Sequence, residues 1–157
     1  MCRREYESPI GRMILTATDG VITEIKFTGD LSNVSQETPE NRAVLDLCTQ
    51  ELNGYFAGEL REFTVKIQAA GTSFRERVWV ELLKIPYGET ISYKQLAQRI
   101  GNPAAVRAVG GANHHNPINI IIPCHRVIGA NGSLTGYGGG IENKEFLLKL
   151  EGISIRQ

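Results

Sequence analysis

The chain has 157 residues, 41% of them hydrophobic and 22% charged, with zero formal net charge, which describes an ordinary globular protein with room for one core or two small ones. No apolar run approaches the ~20 residues of a membrane span, and Met1-Cys2-Arg3-Arg4-Glu5 lacks a signal-peptide apolar segment, so a soluble, cytoplasmic protein with no membrane partner is expected. Three widely spaced cysteines, Cys2, Cys48 and Cys124, with no Cys-x-x-Cys, argue against a disulfide framework and suit a reducing compartment.

The zero charge hides an asymmetry: residues 1–71 hold seven Lys and Arg against eleven Asp and Glu, residues 72–157 ten against six. The C-terminal part is the one suited to a polyanion. Three strands are expected first, Arg4 to Glu7, Met13 to Thr18 and Val21 to Phe27, joined through Ser8-Pro9-Ile10-Gly11 and Asp19-Gly20 as an antiparallel meander. Gly29 to Glu40 reads as a loop. Val44, Leu47, Cys48, Leu52 and Phe56 then suit a helix ending near Gly54 or Gly58, and Phe63 to Ile67 a further strand. A domain boundary is placed at Ala69-Ala70-Gly71, giving 1–70 as a strand-rich supporting domain and 71–157 as the domain that carries the chemistry.

From Thr72 the pattern turns helical. Ser73-Phe74-Arg75-Glu76 has the form of a capping box, and Phe74, Val78, Trp79, Leu82, Leu83 and Ile85 make a core stripe that Pro86-Tyr87-Gly88 stops. A second box, Ser92-Tyr93-Lys94-Gln95, opens a short helix closed by Gly101, and Asn102-Pro103 starts a third. Two short helices across a tight turn have the form of a helix-turn-helix. On the third, Ala104, Arg107, Ala108 and Gly111 share a face, with Val106 and Val109 directed inward. Small residues around one arginine suit either helix packing or close, sequence-tolerant contact with a nucleic-acid groove.

Ile120-Ile121-Ile122-Pro123-Cys124-His125-Arg126-Val127 carries the candidate chemistry. The β-branched run predicts a buried strand, and Pro123 interrupts its pairing where the thiol appears. Neighbouring imidazole and guanidinium groups are the kind that lower a thiol pKa, so Cys124 reads as a nucleophile on a rigid support; a buried core cysteine is the competing reading. Zinc would draw on His114, His115, Cys124 and His125. Adjacent strand residues face opposite ways, so Cys124 and His125 would not easily share one ion, and neither metal nor other cofactor is expected. Asn131-Gly132 signals a hairpin between Val127-Ile128 and Ser133-Leu134, Thr135 to Gly140 either a glycine-rich wall for a flat ligand or a mobile linker, and Phe146, Leu147 and Leu150 a final helix ended by Gly152, with Glu151 at its tip.

Pro123-Cys124-His125-Arg126-Val127, with Ile85-Pro86-Tyr87-Gly88, Ser92-Tyr93, Arg107-Ala108-Val109-Gly110 and Asn116-Pro117, resembles the O6-alkylguanine-DNA alkyltransferase family over about residues 71 to 152, five motifs in the right order. Residues 1–70 fit in length and strand-rich pattern. The resemblance implies an α+β fold, a small antiparallel-sheet-plus-helix, ribonuclease H-like part followed by a helix-turn-helix, winged-helix-like domain. It implies a monomer that acts on double-stranded DNA and moves the alkyl group from O6 of guanine, or O4 of thymine, irreversibly onto Cys124. In such a protein His125, oriented by Glu151, activates the thiol through a water, and Asn116 braces the turn. Tyr93 helps rotate the phosphate and donates a proton or hydrogen bond to the departing guanine, and Arg107 fills the vacated stack. Ala104, Ala108, Gly111 and Arg126 meet DNA, and Val127, Tyr137 and Gly138 line the base pocket. Two rivals are weaker: alkyltransferase-like binding proteins carry another residue at the position of Cys124, and a papain-type hydrolase needs direct Cys–His contact. His114-His115 departs from the family pattern before Asn116.

Overall fold

The computed structural model describes residues 1–31, 37–134 and 136–154. The loop expected over Gly29 to Glu40 lies partly outside these, as does Thr135. The contacts divide the chain into two compact units, one of Met1–Ala70 with Pro117–Asn119, the other of Gly71–Asn116 with the chain from Ile120 onward.

The first unit is built on a three-stranded antiparallel sheet, β1 (Cys2–Ser8), β2 (Gly11–Thr18) and β3 (Val21–Lys26), in sequence order. Asp19 and Gly20 both have positive φ, at 51° and 78°, the backbone a two-residue hairpin turn demands. Helix α1 (Pro39–Phe56) starts earlier than its apolar spacing suggests, because the Thr38 side chain accepts from the Asn41 N–H and Pro39 occupies the first turn. Asn41 in turn accepts from the Gly20 N–H at 2.9 Å, tying the hairpin to the helix. Met13, Leu15, Ile22, Ile25, Leu45, Cys48, Leu52 and Tyr55 form the core. Leu47, expected among them, is 38% exposed.

No strand forms over Phe63 to Ile67. Ile67 makes a single bridge to Ile22, and the backbone before it is spent on Glu51, whose carboxylate accepts from the N–H groups of Thr64 and Val65 and the Thr64 hydroxyl. Pro117–Asn119 pairs with β3 through Ile25, its N–H bonding the Pro117 carbonyl and its carbonyl accepting the Asn119 N–H.

The second unit holds α2 (Ser73–Leu82), β4 (Ile91–Ser92), α3 (Tyr93–Arg99), α4 (Val106–His114), β5 (Val127–Ile128) and α5 (Ile141–Leu150). The cap of α2 is Thr72, one residue ahead of the expected box, while the Ser92–Gln95 box of α3 is complete in both directions. Val78, Trp79, Leu82, Leu96, Ala97, Val109 and Ala112 pack between the helices, and the Trp79 indole N–H donates to the Ala112 carbonyl at 2.9 Å. Leu83, placed in the core stripe by spacing, is 47% exposed. Helix α4 begins at Val106, so Asn102-Pro103 lies in the connecting turn and Ala104 precedes the helix. Val127–Ile128 pairs in parallel with Ile91–Ser92 across the intervening helices. The Gly129 N–H to Ser133 carbonyl bond closes the turn at Asn131-Gly132 without a ladder of its own.

The isoleucine run is the largest departure from expectation. Ile120 to Pro123 is a chain of turns, not a strand, and Ile120 has φ +74°, a costly conformation for a β-branched residue. All three isoleucines are buried; apolar packing explains their identity, and the backbone hydrogen bonds go elsewhere.

Candidate active site

Pro123 (φ −82°, ψ 64°) sits at the centre of an inverse γ-turn, with the Cys124 N–H bonded to the Ile122 carbonyl at 2.8 Å. Cys124–Arg126 follow as one 3-10 turn. On such a turn successive side chains diverge by about 120° instead of alternating across a sheet, so the opposite-face argument for Cys124 and His125 does not apply. Asn116 braces this corner: its side-chain amide donates to the Ile122 carbonyl at 2.7 Å, and its side chain also hydrogen-bonds the Cys124 thiol.

His125 is fully buried, and its Nε2–H donates to Glu151 at 2.6 Å. Glu151 also accepts two bonds from Arg126, at 2.8 and 3.1 Å, and one from the Gly88 N–H at 3.1 Å. Burial opposes ionisation of this carboxylate, but His125 and Arg126 outweigh it and hold its pKa at about 2. An ionised Glu151 fixes the imidazole with its proton on Nε2. Nδ1 is then a lone-pair acceptor, and it is buried with no hydrogen-bond partner. Burial also lowers the His125 pKa despite Glu151, keeping the ring neutral.

The thiol itself departs from the sequence expectation. Burial outweighs the favourable Asn116 hydrogen bond and the Lys144 charge and raises the Cys124 pKa to about 11, so in the resting protein it is a thiol that needs a base. Lys144 went unnoticed in the sequence, yet it lies in register with Leu147, Leu148 and Glu151 on the buried stripe of α5. Its ammonium donates to the Val127 carbonyl at 2.6 Å and lies 5.9 Å from the centre of the Tyr93 ring. Burial depresses its own pKa to about 8.

Arg126 is not a surface residue. It is 7% exposed, its guanidinium is committed to Glu151 and the Ile85 carbonyl, and it stands 5.7 Å from the centre of the Tyr87 ring. Ionic and backbone partners leave it inside the unit, which corrects its expected place among the DNA contacts. The Ile-Pro-Tyr-Gly motif acquires its reason here: Ile85 and Tyr87 receive Arg126, and Gly88, at φ +82°, turns its N–H onto Glu151.

Ala104, Arg107 and Ala108 are exposed and Gly111 is half-buried. Val106, expected to pack inward, is 37% exposed and lines a cavity of about 280 Å³ with Tyr93, Gly110, Asn113, His114 and Gly136. The double histidine ends α4: His114 is its last residue, and the His115 ring meets the Gly111 carbonyl at 2.7 Å. Tyr137 is buried with its ring centre 6.5 Å from that of His125, and Gly138 is exposed on the adjoining turn. On α5, Leu147 is buried but Phe146 is 39% exposed. Among the described residues no cluster of three or more His, Cys, Asp or Glu is placed to hold a metal, and no helix is long and apolar enough to cross a membrane.

Residues 73–153 match the DNA-binding domain of 6-O-methylguanine DNA methyltransferase, and residues 1–69 match its ribonuclease-like domain. The chain belongs to the 6-O-methylguanine DNA methyltransferase family. Within that family, a methylated-DNA–protein-cysteine methyltransferase of Mycobacterium tuberculosis is 53% identical over 150 residues, covering 94% of this chain and 90% of that protein. One from Methanosarcina acetivorans is 50% identical over 151 residues, covering 94% and 96%. Among solved structures, that of Mycobacterium tuberculosis OGT in complex with DNA superposes with a TM-score of 0.85 at 51% identity, covering 95% of this chain and 91% of that one. The mixed α+β fold, a ribonuclease-like part followed by a helix-turn-helix part, is the methyltransferase fold.

Proposed function

We propose that this chain is a methylated-DNA–protein-cysteine methyltransferase that repairs O6-alkylguanine in double-stranded DNA by moving the alkyl group onto Cys124, once per molecule. The observation that carries the reading is the buried, partnerless Nδ1 of His125 one residue from a buried thiol. A water between Nδ1 and Sγ would pass the thiol proton to the imidazole, and Glu151 would stabilise the cation formed. The sulfur then attacks the alkyl carbon, the carbon–O6 bond breaks, and the electron pair leaves on guanine, which takes a proton from Tyr93. The product is a thioether that water does not hydrolyse, so the protein is consumed. O4-alkylthymine offers the same alkyl–oxygen bond and is the expected second substrate.

The target oxygen lies inside the duplex, so the base must leave the stack at a cost of a few kcal/mol. Exposed Ala104, Arg107 and Ala108, with half-buried Gly111, suit close approach to a minor groove, with Arg107 filling the gap. Tyr93, Tyr137, Gly138 and the backbone of Val127 would receive the base. A monomer is the expected state, and none of the three cysteines is in a disulfide, which suits a reducing compartment such as the cytoplasm. A binding-only relative would lack the nucleophile, whereas Cys124 is present and braced.

Intact-protein mass spectrometry after mixing with a duplex holding one O6-methylguanine tests the reading. One added methyl on Cys124, restored guanine and an end point at one equivalent are expected. Binding without a change of mass would favour the binding-only reading and remove the role assigned to Cys124.

A further inference from the structure

Asn113 is the last residue but one of α4 and is 4% exposed. Its side-chain N–H donates to the Cys124 carbonyl at 3.4 Å, while its Oδ1 is buried and has no hydrogen-bond partner. The amide cannot be turned over to relieve this, because an oxygen facing the Cys124 carbonyl would oppose two acceptors. The side chain also lines the 280 Å³ cavity beside Tyr93, in register along α4 with Val106 and Gly110, at i, i+4 and i+7. The side chain that borders this cavity and holds the nucleophile's own carbonyl thus carries an acceptor without a donor, and a buried acceptor left so is costly to the folded protein.

The proposed substrate supplies one donor of the matching kind. Guanine carries N1–H and a 2-amino group on the edge that bears O6. Alkylation of O6 removes the N1 proton, and the 2-amino group becomes the only donor on that edge. We propose that Asn113 Oδ1 accepts a hydrogen bond from the 2-amino group of the flipped base and is a specificity-determining residue of the site. The inference rests on the repair reading above and adds to it a side-chain reader of the base. The amide joins two contacts, the base through Oδ1 and the Cys124 carbonyl through Nδ2, so reading the amine and placing the thiol become one event. A base with its amino group at C6 instead of C2 offers Oδ1 nothing.

The test compares single-turnover methylation of Cys124 by two duplexes, one holding O6-methylguanine and one O6-methylhypoxanthine, which differ only in the 2-amino group. Wild-type protein should prefer O6-methylguanine by about tenfold, the worth of one well-made hydrogen bond, and Asn113→Leu should bring the two rates within about twofold. Should Asn113→Leu fail to give a cooperative thermal transition, Asn113→Ala, which removes the amide without adding bulk, takes its place. Equal wild-type rates on both duplexes, or a preference the folded variant retains in full, would overturn the proposal. Failure of the repair reading looks different: neither duplex would add mass to wild-type Cys124.

Discussion

The imidazole of His125 and the carboxylate of Glu151 meet at 2.6 Å with both side chains wholly buried, and the same carboxylate holds the Arg126 guanidinium. Glu151 thus sets the His125 tautomer and neutralises an interior cation at once. Glu151→Gln keeps the shape and removes both services. Methyl transfer from DNA should slow by about 10²–10⁴-fold, the usual worth of a general base. Stability should fall by about 3–5 kcal/mol, because a buried guanidinium is left without its counter-charge. Quenched-flow transfer and urea denaturation read the two effects separately; an unchanged transfer rate would remove His125 as the base.

The same pair sets the acid limb of stability. The Glu151 pKa is about 2 against an ordinary 4.5, so its contribution is complete above 4.5 and lost as pH falls toward 2. His125 is depressed below 6.5 by burial. The folded state resists protonating it, and stability is lost as pH falls below 6.5. Both groups act in one direction. Urea midpoints should therefore decline from about pH 6.5 downward, and Glu151→Gln should lack the part of the decline below about pH 4.5.

Lys144 gives the rate an alkaline limb. Its charge favours the Cys124 thiolate, and its own pKa is about 8. As pH rises through that value the ammonium is lost and transfer should slow, until direct ionisation of the thiol near pH 11 compensates. In Lys144→Met the rate at pH 7 should be lower by about tenfold, the order expected for removing one nearby charge, and the fall near pH 8 should vanish. A fall that persists in the variant would assign it to another group.

What the residues disclosed ahead of the structure follows a physical division. Local rules located the meander, the Ser92 capping box and the paired short helices, because turn residues and caps act within a few positions. Spacing put Val106 and Leu83 inside and the Ile120 run in a strand, and each failed for a tertiary reason. Val106 lines a cavity, Leu83 lies on the solvent side of α2, and Asn116 takes the Ile122 carbonyl that a ladder would have used. Cys124 stands out by its proline, histidine and arginine neighbours, whereas the roles of His125 and Glu151 come only with the family resemblance. The raised thiol pKa was not legible, since depth of burial outweighs the sequence neighbours that argued for a low one.

Glu51 gives a prediction confined to the first unit. Its carboxylate accepts the Thr64 and Val65 N–H groups and the Thr64 hydroxyl, all within 2.6–3.1 Å. Glu51→Ala should cost about 2–4 kcal/mol, since it removes charge-assisted bonds and leaves backbone donors short of an acceptor. Mass spectrometry on the surviving folded fraction should still find one methyl per molecule on Cys124. A loss of stoichiometry would show that the Thr64 segment has a part in transfer as well as in stability.

Arg107 separates base extrusion from chemistry. It is exposed in the first turn of α4, and in the proposed reaction it replaces a base in the stack without touching the alkyl carbon. Arg107→Ala should slow transfer from duplex DNA by about 10–100-fold, matching a share of the few kcal/mol that flipping costs. Transfer from the free base O6-benzylguanine, which has no stack to leave, should proceed at the wild-type rate. Equal losses on both substrates would place Arg107 in the chemistry or the folding of α4. Equal retention would pass the stack-filling role to another residue on that face.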